Sequence, residues 1–454
     1  MGTKSMTEES TTNVHDDMED VVVEQKEEEI DMSKLAALKA KNQAKQQEQK
    51  IMGAKLVAEK ERSIKFGIIG SGQAGSRLAE QFYAIGYPCV AINTALQDLK
   101  HINIPDSNKL LLDFSLGGAA KSLEIGRSAS EAHKAEIKEL ITDKLEASQV
   151  NILCLSLGGG SGAGSCETLI DILSETGKPI VVITILPSDS DDNLSKSNAL
   201  TTLSKLAKLT QSKHVNNLIV VDNAKIEAIY HDVSQMDFFN VANKAIVGPI
   251  DAFNTLSSMA SSVKGLDPME FGKLFIDGEG LTVFGELTIS NFEEDTSIAE
   301  AILNNLSGNL LASGFDLKKA KYVGALIVAN KDVWSKIPNS SISYAMAMIN
   351  DQCGSPQGVF KGIYTVDSME PVVKVYSMFS GLSLPEARID QLKRDVKELS
   401  QKTKEKDEVR NLSLTLDTGT EENLSAAQKV KDKIASKSSA FGKLVGKTVI
   451  DRRK

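Results

Sequence analysis

The sequence predicts an α/β fold: a mainly parallel sheet covered by helices, then a long central helix, a smaller α+β second domain and a long C-terminal helix. Three observations support this prediction. Between residues 64 and about 235, short apolar runs typical of buried strands alternate with helical runs. Glycine-rich turns stand where those strands end and the helices begin. After residue 237 the alternation gives way to one long helical stretch, followed by strands and helices in mixed order.

Composition excludes several classes of protein. The chain has 454 residues, enough for two domains, and a net charge of −9. Its four cysteines are scattered through mostly apolar segments, which indicates reduced, buried thiols, and its five histidines have no ligand-like spacing. We therefore expect neither a disulfide framework nor a transition-metal enzyme. Because no apolar run could span a bilayer and the N-terminus lacks a basic-then-apolar signal, we expect a cytoplasmic protein.

The two ends of the chain differ from its middle in charge. Residues 1–32 hold eleven acidic side chains against two lysines, so we expect this extension to be disordered. Residues 33–62 are rich in Ala, Lys, Gln and Leu and form either a solvated helix or an interaction arm. From Ser425 onward, nine lysines and arginines oppose two aspartates. Such basic tails bind nucleic acid, acidic partners or membranes, or keep a polymer soluble.

The first strand, residues 64–69, leads into a glycine motif at a strand-to-helix turn. Its residues are Gly70-Ser71-Gly72-Gln73-Ala74-Gly75. This pattern suits nucleotide phosphates and is also compatible with a dinucleotide-binding unit, which needs an acid after the second strand to bond a ribose. Here the second strand, residues 89–92, ends in Asn93-Thr94-Ala95-Leu96-Gln97. The missing acid argues against a dinucleotide.

A second glycine run follows the apolar strand at residues 150–155. It reads Gly158-Gly159-Gly160-Ser161-Gly162-Ala163-Gly164 and precedes a helix whose apolar residues recur at helical spacing. Its backbone N–H groups would lie at the positive end of that helix, where a phosphate is stabilised. A flexible linker is the less favoured interpretation, because linkers are rarely bracketed by a buried strand and a helix. The chain has no GxxxxGK[ST] motif of a P-loop.

Three further loops follow strands of the same predicted sheet. The strand at 109–113 leads into Gly117-Gly118-Ala119-Ala120-Lys121, and a helix is predicted over residues 128–145. The strand at 178–185 leads into an acidic loop that includes Asp189, and the strand at 218–222 ends at Asn223. The carboxyl ends of parallel strands meet at one edge of a sheet, where open α/β folds bind ligands.

The long helix is predicted over residues 237–263, with a kink at Pro249. Just beyond it stands Asp267-Pro268-Met269-Glu270-Phe271. The spacing alone favours an ordinary helix start, with Asp267 as the N-cap and Glu270 at the third helical position. The later region shows strands at 280–289, 322–328 and 372–380 and helices at 297–312 and 340–352. A narrow apolar seam, Ile389, Leu392, Val396 and Leu399, marks the C-terminal helix.

These motifs, in this order, resemble those of the tubulin/FtsZ superfamily over roughly residues 64–411. The second glycine run resembles Gly-Gly-Gly-Thr-Gly-(Ser/Ala)-Gly, with Ser161 in place of Thr, and the Asn93 segment resembles Asn-Thr-x-x-Gln. The loop 117–126 resembles the γ-phosphate-sensing loop, although Ala120 and Lys121 replace two glycines. Phe239-Asn240-Val241-Ala242-Asn243 resembles the segment whose aromatic residue lies on guanine and whose Asn reads its edge. Asp267-x-x-Glu270-Phe271 and residues 376–385 resemble the TubZ branch.

The resemblance implies a GTPase that binds GTP or GDP with Mg²⁺ on the phosphates. It places a GTP-binding domain at 63–235, the central helix at 236–264, an α+β activation domain at 265–382, the C-terminal helix at 383–411 and a basic flexible tail at 412–454. Asp267 and Glu270 of one subunit would act on the GTP of the next, so hydrolysis would depend on head-to-tail assembly into a filament. No protein ligand of the metal is assigned. The implied nucleotide-binding residues are Gly70, Ser71, Gly72, Gln73, Asn93, Gly118, Ala119, Ala120, Gly158, Gly159, Gly160, Ser161, Gly162, Asp189, Asn223, Phe239 and Asn243.

The TubZ branch implies a filament that moves plasmid or phage DNA through an adaptor on the C-terminal tail. The basic tail suits such an adaptor and equally suits contacts between filament strands. Three alternatives stay open: a phage tubulin that positions viral DNA, an FtsZ-type division GTPase, and a non-polymerising nucleotide-binding protein. The Asp267-x-x-Glu270 pair, the long C-terminal helix and the lack of a short apolar C-terminal peptide argue against FtsZ.

Overall fold

The first part of the chain alternates strands and helices. The computed structural model describes residues 61–114, 116–234, 236–290, 292, 314–367 and 369–414. Up to residue 229 its elements are β1 (Phe66–Ser71), α1 (Gly72–Ala84), β2 (Cys89–Asn93), α2 (Leu96–Lys100), β3 (Lys109–Leu111), α3 (Leu123–Ala132), α4 (Lys134–Leu145), β4 (Val150–Ser156), α5 (Ser161–Ser174), β5 (Ile180–Leu186), α6 (Asn193–Gln211), β6 (Asn217–Asp222) and α7 (Asn223–Ile229).

The later part begins with the long central helix. Its elements are α8 (Phe238–Leu256), α9 (Pro268–Phe275), β7 (Leu281–Ile289), β8 (Tyr322–Ala329), α10 (Lys331–Trp334), α11 (Asn339–Gln352), β9 (Gly358–Thr365), β10 (Val373–Leu382) and α12 (Glu386–Leu414). The predicted acidic extension, nearly all of the arm, the helix at 297–312 and the tail beyond residue 414 lie outside the described residues. No described helix is both long and apolar enough to cross a membrane.

One ten-stranded sheet contains all of these strands, in the order β3-β2-β1-β4-β5-β6-β7-β10-β8-β9. The strands from β3 to β7 pair in parallel, and β10 pairs antiparallel with both β7 and β8. The pairing of β6 with β7 is short, with Leu218 opposite Leu281 and Ile219 opposite Thr282. The strands of the predicted second domain therefore continue the first sheet. The predicted α/β class, with its mainly parallel sheet, long central helix and C-terminal helix, is confirmed.

Two apolar clusters cover the faces of the sheet. Successive strand residues point to opposite faces, so Ile69 belongs to one cluster and Ile68 to the other. Each cluster draws on both parts of the chain: Ile69 shares its cluster with Phe379, and Ile68 shares its cluster with Phe271. All four cysteines are free and buried, and burial raises the pKa of the Cys166 thiol to about 12.

Several element boundaries differ from prediction for local reasons. The helix predicted over 128–145 is two helices, because His133 leaves helical geometry and its ring Nδ1 lies 2.9 Å from the Ala129 carbonyl oxygen. Helix α8 continues through Pro249 but ends at Leu256, seven residues early. There the Ser257 and Ser258 hydroxyls donate to carbonyl groups of the last turn, each at 2.7 Å.

Strand β9 is the one described strand that the sequence pattern did not predict. It forms an edge of the sheet, pairing in parallel with β8 on one side. On its other side, the Ile363 N–H donates to the Lys264 carbonyl over 2.8 Å, and the Ser261 hydroxyl donates to the Ile363 carbonyl. The segment 261–264 thus covers part of this edge just before Asp267.

Candidate functional site

A cavity of about 280 Å³ lies at the carboxyl ends of the central strands. It is enclosed by the turn after β1, the two glycine-rich loops, the start of α6, and helices α7 and α8. Six of the predicted nucleotide-binding residues line it, namely Gln73, Gly158, Gly159, Asn223, Phe239 and Asn243. The structure therefore brings together side chains from segments that are far apart in sequence.

The other predicted glycines let the loops pack backbone against backbone. Gly72 has a φ of +70°, and a Cβ added there would lie 2.8 Å from the Gly162 nitrogen. A Cβ on Gly160 would lie 2.8 Å from both the Ala119 Cβ and the Ser122 nitrogen. Such distances are too short for any side chain, so these glycines are required for the loops to meet.

Polar side chains behind the loops hold them in place. The Ser71 and Ser165 hydroxyls lie 2.8 Å apart, and the Ser161 hydroxyl lies within hydrogen-bond distance of the Thr94 hydroxyl. Asn93 is buried; its amide donates to Asp98 over 3.0 Å, and its oxygen accepts from the Ala95 N–H. Ser71, Asn93 and Ser161 are therefore placed to support the loop backbone that borders the cavity.

The loop at 117–121 has an unusual backbone. Gly117 and Gly118 have positive φ angles, and so do the non-glycine residues Ala120, at +44°, and Lys121, at +62°. The Gly118 N–H donates to the Thr94 carbonyl over 2.8 Å, and Ala119 is buried. Left-handed backbone costs roughly 1–2 kcal/mol at a non-glycine residue, so the surrounding packing must hold this loop.

Two residues at this loop were not predicted as functional. Lys121 lines the cavity, and its ammonium pairs with Asp192 and donates to the Ser195 hydroxyl over 2.8 Å. This hydrogen bond with Lys121 holds the pKa of the Asp192 carboxyl below its usual range. The amide of buried Asn198 donates to the carbonyls of both Lys121, over 2.8 Å, and Gly158, over 3.2 Å. Asn198 thus connects the loop at Lys121 with the loop at Gly158. An Asn within a helix carries no sequence signal for such a role.

The other end of the cavity is aromatic. Phe239 is 46% exposed, and the Arg77 guanidinium lies 4.9 Å from its ring centroid. Asn243, one turn further along α8, is nearly buried and also lines the cavity. An open aromatic face beside a side-chain amide, which both donates and accepts, suits a heteroaromatic base. Arg77 was not predicted, because the glycine motif before it indicated phosphate contacts by the loop backbone and gave no signal for a side chain in the following helix.

Two aspartates of the acidic loop after β5 face different parts of the structure. Asp191 lines the cavity, whereas the predicted Asp189 faces the C-terminal helix, accepting from Arg388 at 2.7 Å and from Gln391 at 3.2 Å. Arg388 is buried and also contacts buried Asp222, with a 2.8 Å separation between Nε and Oδ2. Burial raises the pKa of Asp222, while Arg388 opposes that shift. The Asp189 carboxylate thus contacts α12, and its role in nucleotide binding stays a prediction.

Asp267 and Glu270 lie outside this cavity. Near its start, α8 contributes Asn243 to the cavity, whereas near its end the Asn254 side chain accepts from the Ile64 N–H, just before β1, over 2.8 Å. Helix α8 therefore runs from the carboxyl edge of β1 to its amino edge, about 28 Å at 1.5 Å per residue. Asp267 follows that far end of α8. The cavity therefore lies at the carboxyl ends of the central strands, and Asp267 and Glu270 lie at the opposite, amino ends.

At that far edge the two carboxylates form a capping box. The Asp267 side chain accepts from the Glu270 N–H at 2.8 Å, and the Glu270 side chain accepts from the Asp267 N–H at 3.1 Å. Asp267 is exposed, and Lys264 lies 3.9 Å from Glu270. The helix-start role expected from spacing is therefore present. Among the described residues, no group of three His, Cys, Asp or Glu side chains could hold a metal ion.

Comparison with known proteins identifies two regions. Residues 65–231 match the Tubulin/FtsZ family GTPase domain, and residues 252–393 match the C-terminal domain of the TubZ-like proteins; together they cover more than half of the chain. Tubulin-like protein TubZ of Bacillus cereus is 25% identical over 353 residues, covering 71% of this chain and 80% of that protein. Tubulin-like protein CetZ of Pyrococcus horikoshii is 26% identical over 323 residues, covering 69% and 85%.

A solved structure supports the fold. The GTPγS-form protofilament of Bacillus thuringiensis serovar israelensis TubZ gives a TM-score of 0.69 at 22% identity, covering 77% of this chain and 95% of that one. The first matched region belongs to a family of GTPase domains, which implies that this chain binds GTP and GDP. The chain belongs to the tubulin/FtsZ superfamily, with the family's GTPase domain followed by a TubZ-like C-terminal domain.

Proposed function

We propose that this chain is a filament-forming GTPase whose active site is completed between successive subunits. The observation that supports this most is the placement of the cavity and of Asp267 and Glu270 at opposite edges of one sheet. Each subunit then carries half a site at each end. A head-to-tail contact of this kind does not close on itself, so it propagates as a filament.

Exposed apolar side chains at the two edges agree with such a contact. Val263 is 69% exposed and Met269 is 75% exposed, on either side of Asp267. At the cavity edge, Leu116 is fully exposed beside the loop 117–121. Apolar side chains left in water at both ends of a subunit favour burial against a neighbour. The related TubZ structure is likewise that of a protofilament.

In the proposed mechanism the base of GTP lies on Phe239, near Asn243, and the phosphates lie along the loops at Gly158–Gly162. A magnesium ion would be held largely by phosphate oxygens and water, and would neutralise charge on the phosphates. Asp267 and Glu270 of the neighbouring subunit orient the attacking water. Phosphoryl transfer has a loose transition state, so positioning of this water matters more than the basicity of the carboxylates.

The biological role that this activity would serve is the movement of plasmid or phage DNA in the cytoplasm of a prokaryotic host. Support comes from the TubZ-like C-terminal domain and from the basic C-terminal sequence, which suits contact with a DNA-binding adaptor. A phage tubulin that positions viral DNA would share both features.

The test is GTP hydrolysis per subunit as a function of protein concentration, with light scattering recorded on the same samples. A shared active site predicts a threshold concentration, below which both the specific activity and the scattering are close to background. Specific activity that is independent of concentration, with no scattering, would contradict the proposal and indicate a monomeric GTPase. Absence of GTP binding would contradict the nucleotide assignment itself.

A further inference from the structure

Helix α6 carries a buried lysine whose ammonium joins two other segments. Only 4% of the Lys196 side chain is exposed; its ammonium donates to the Asp189 carbonyl over 2.7 Å and pairs with Asp395 of α12 over 2.9 Å. Because a buried charge is costly without a counter-charge, an ammonium that loses its carboxylate partner moves towards water. The bond between Lys196 and the loop after β5 therefore depends on the presence of α12.

The loop after β5, residues 187–192, has one side on α12 and the other side on the cavity. Arg388 of α12 donates to the Pro187 carbonyl over 3.0 Å and to the Asp189 carboxylate over 2.7 Å. Together with the bond from the buried lysine, these contacts hold the loop at two points. Pro187 and Asp191 of the same loop line the cavity. The position of this part of the cavity wall is therefore set by contacts that involve α12.

Helix α12 continues beyond its contact with α6. Towards the end of that contact, the Asn193 amide of α6 donates to the Ser400 hydroxyl of α12 over 3.1 Å. Residues 401–407 are exposed, and the helix continues to Leu414, about 21 Å further at 1.5 Å per residue. The sequence from Ser425 onward is basic. A partner bound to that sequence would therefore act on α12 from its exposed end.

Resting on the proposed function, we propose that Lys196 is a positioning residue that couples the docking of α12 on α6 to nucleotide binding. While α12 lies on α6, Lys196 and Arg388 hold the loop 187–192 against the cavity. When α12 leaves, the loop loses both restraints and nucleotide binding weakens. Coupling of this kind is reciprocal, so a bound nucleotide holds α12 on α6 by the same factor. A polyanionic partner that draws α12 away through the basic C-terminal sequence therefore promotes nucleotide release.

Binding of GDP and of GTPγS to the full chain, below the concentration at which scattering appears, tests the effect of α12 on the cavity. D395N removes the counter-charge of Lys196 at a position that does not line the cavity, and should weaken binding of both nucleotides about tenfold. K196M should weaken binding at least as much, and K196M/D395N should bind as K196M does, because both substitutions act on one contact. D390N, which alters an exposed pair with Lys393 on the same helix, is the matched control and should change either affinity by less than about twofold.

Hydrogen exchange of the backbone amides of α12 tests the reciprocal effect. Saturation with GDP should slow exchange over residues 389–400 of the parent about tenfold. Exchange over residues 134–145 of α4 serves as the reference for a general effect of the ligand on unfolding. D395N should lose the protection of α12 by GDP, and D390N should retain it. A lysine that only stabilises the fold would lower the midpoint of unfolding without affecting how GDP changes the exchange of α12.

The two measurements together decide the outcome. If D395N binds both nucleotides as D390N does, or if GDP leaves the exchange of α12 unchanged, the docking of α12 is not coupled to the cavity. Weaker binding in K196M but not in D395N would mean that Lys196 holds the loop without help from α12. If K196M does not fold, D395N decides, because Asn keeps the size of the side chain and Asp395 is 28% exposed. A parent that binds neither nucleotide would contradict the proposed function, whereas a parent that binds both without protection of α12 would contradict only the coupling.

Discussion

Asp267 and Glu270 combine a structural contact with the proposed chemical role. Each carboxylate accepts one backbone N–H at the start of α9, through bonds of 2.8 and 3.1 Å. Capping explains why these residue types occur at this spacing and uses one oxygen of each carboxylate, whereas orientation of the attacking water requires the other oxygen as a hydrogen-bond acceptor. Substitutions that preserve the cap and remove the charge can therefore separate the two roles.

D267N and E270Q are such substitutions, because Asn is a good N-cap and Gln can complete a capping box. If the carboxylates orient the attacking water, each variant should hydrolyse GTP about a hundredfold more slowly or worse, while still binding GTP and assembling. Turnover should be measured above the threshold concentration, with D277N as the control at the other end of α9. The thermal midpoint of unfolding should stay within a few degrees of the parent.

Parent-like turnover in D267N and E270Q would mean that the pair only caps a helix. The catalytic assignment would then be wrong, although the nucleotide cavity would be unaffected.

Single residues were predictable where residue type alone defines the role. The close packing at Gly72 and Gly160 follows from residue type, because only glycine allows the loops to approach so closely at a strand end, whereas phosphate binding by these glycines stays a prediction. Lys121 and Asn198 could not, since each acquires its role from contacts with distant segments. Asp189 shows the converse: its position in the acidic loop was found, but its partner, Arg388, lies 199 residues away.

At the scale of elements, the C-terminal helix is attached to the floor of the proposed nucleotide cavity. Arg388 of α12 contacts Asp222, the N-cap of α7, and its guanidinium donates to the Pro187 carbonyl over 3.0 Å. Helix α7 begins at Asn223, which lines the cavity. A second contact joins buried Lys196 of α6 to Asp395 over 2.9 Å. Displacement of α12 would therefore disturb residues that line the proposed nucleotide cavity.

R388M should destabilise the protein by about 3–5 kcal/mol, because it leaves the buried Asp222 carboxylate without its cation. The free energy of unfolding in denaturant measures this effect. Nucleotide binding should weaken as well, since Asp222 caps the helix that carries Asn223.

The double variant R388M/D222N should recover much of the lost stability, because Asn still caps α7 and needs no buried counter-charge. K205A, which breaks an exposed ion pair, should change stability by at most about 1 kcal/mol. An R388M variant as stable as K205A would show that the buried pair does not anchor α12.

Elements were predictable where periodicity is strong. The glycine-punctuated strands β1 and β4 were found because apolar runs end at turn residues. Strand β9 was missed because Gly358, Lys361 and Gly362 interrupt its apolar alternation. The break at His133 was missed because it depends on a contact between its ring and the Ala129 carbonyl.

At the scale of the molecule, the two family regions share one sheet and both apolar clusters. Buried Asn217 strengthens their junction: its amide donates to the Phe275 carbonyl over 2.8 Å, and its oxygen accepts from the Thr282 hydroxyl over 2.9 Å. Sequence reasoning predicted both regions but not their fusion. The two-residue pairing of β6 with β7 joins segments more than 60 residues apart and has no local pattern.

We expect one cooperative unfolding transition in calorimetry, because each apolar cluster contains residues of both regions. N217A should lower the midpoint of that whole transition, since it leaves two buried polar groups unpaired at about 1–3 kcal/mol each. N103A, at an exposed position, is the control. Two resolved transitions in the parent, with only one shifted by N217A, would show that the regions unfold independently.

The segment 261–264, on the outer side of β9, affects how readily the protein aggregates in a cell. An uncovered strand at the edge of a sheet can pair with strands of other chains. The segment 261–264 covers part of β9, and the Lys264 carbonyl and the Ser261 hydroxyl hold it at Ile363. The segment 261–264 lies immediately before Asp267, so a neighbouring subunit that contacts Asp267 in the proposed filament would hold this segment in place. Free subunits would then be more prone to misassociation than polymerised ones, and a large polymer pool would protect the protein from aggregation.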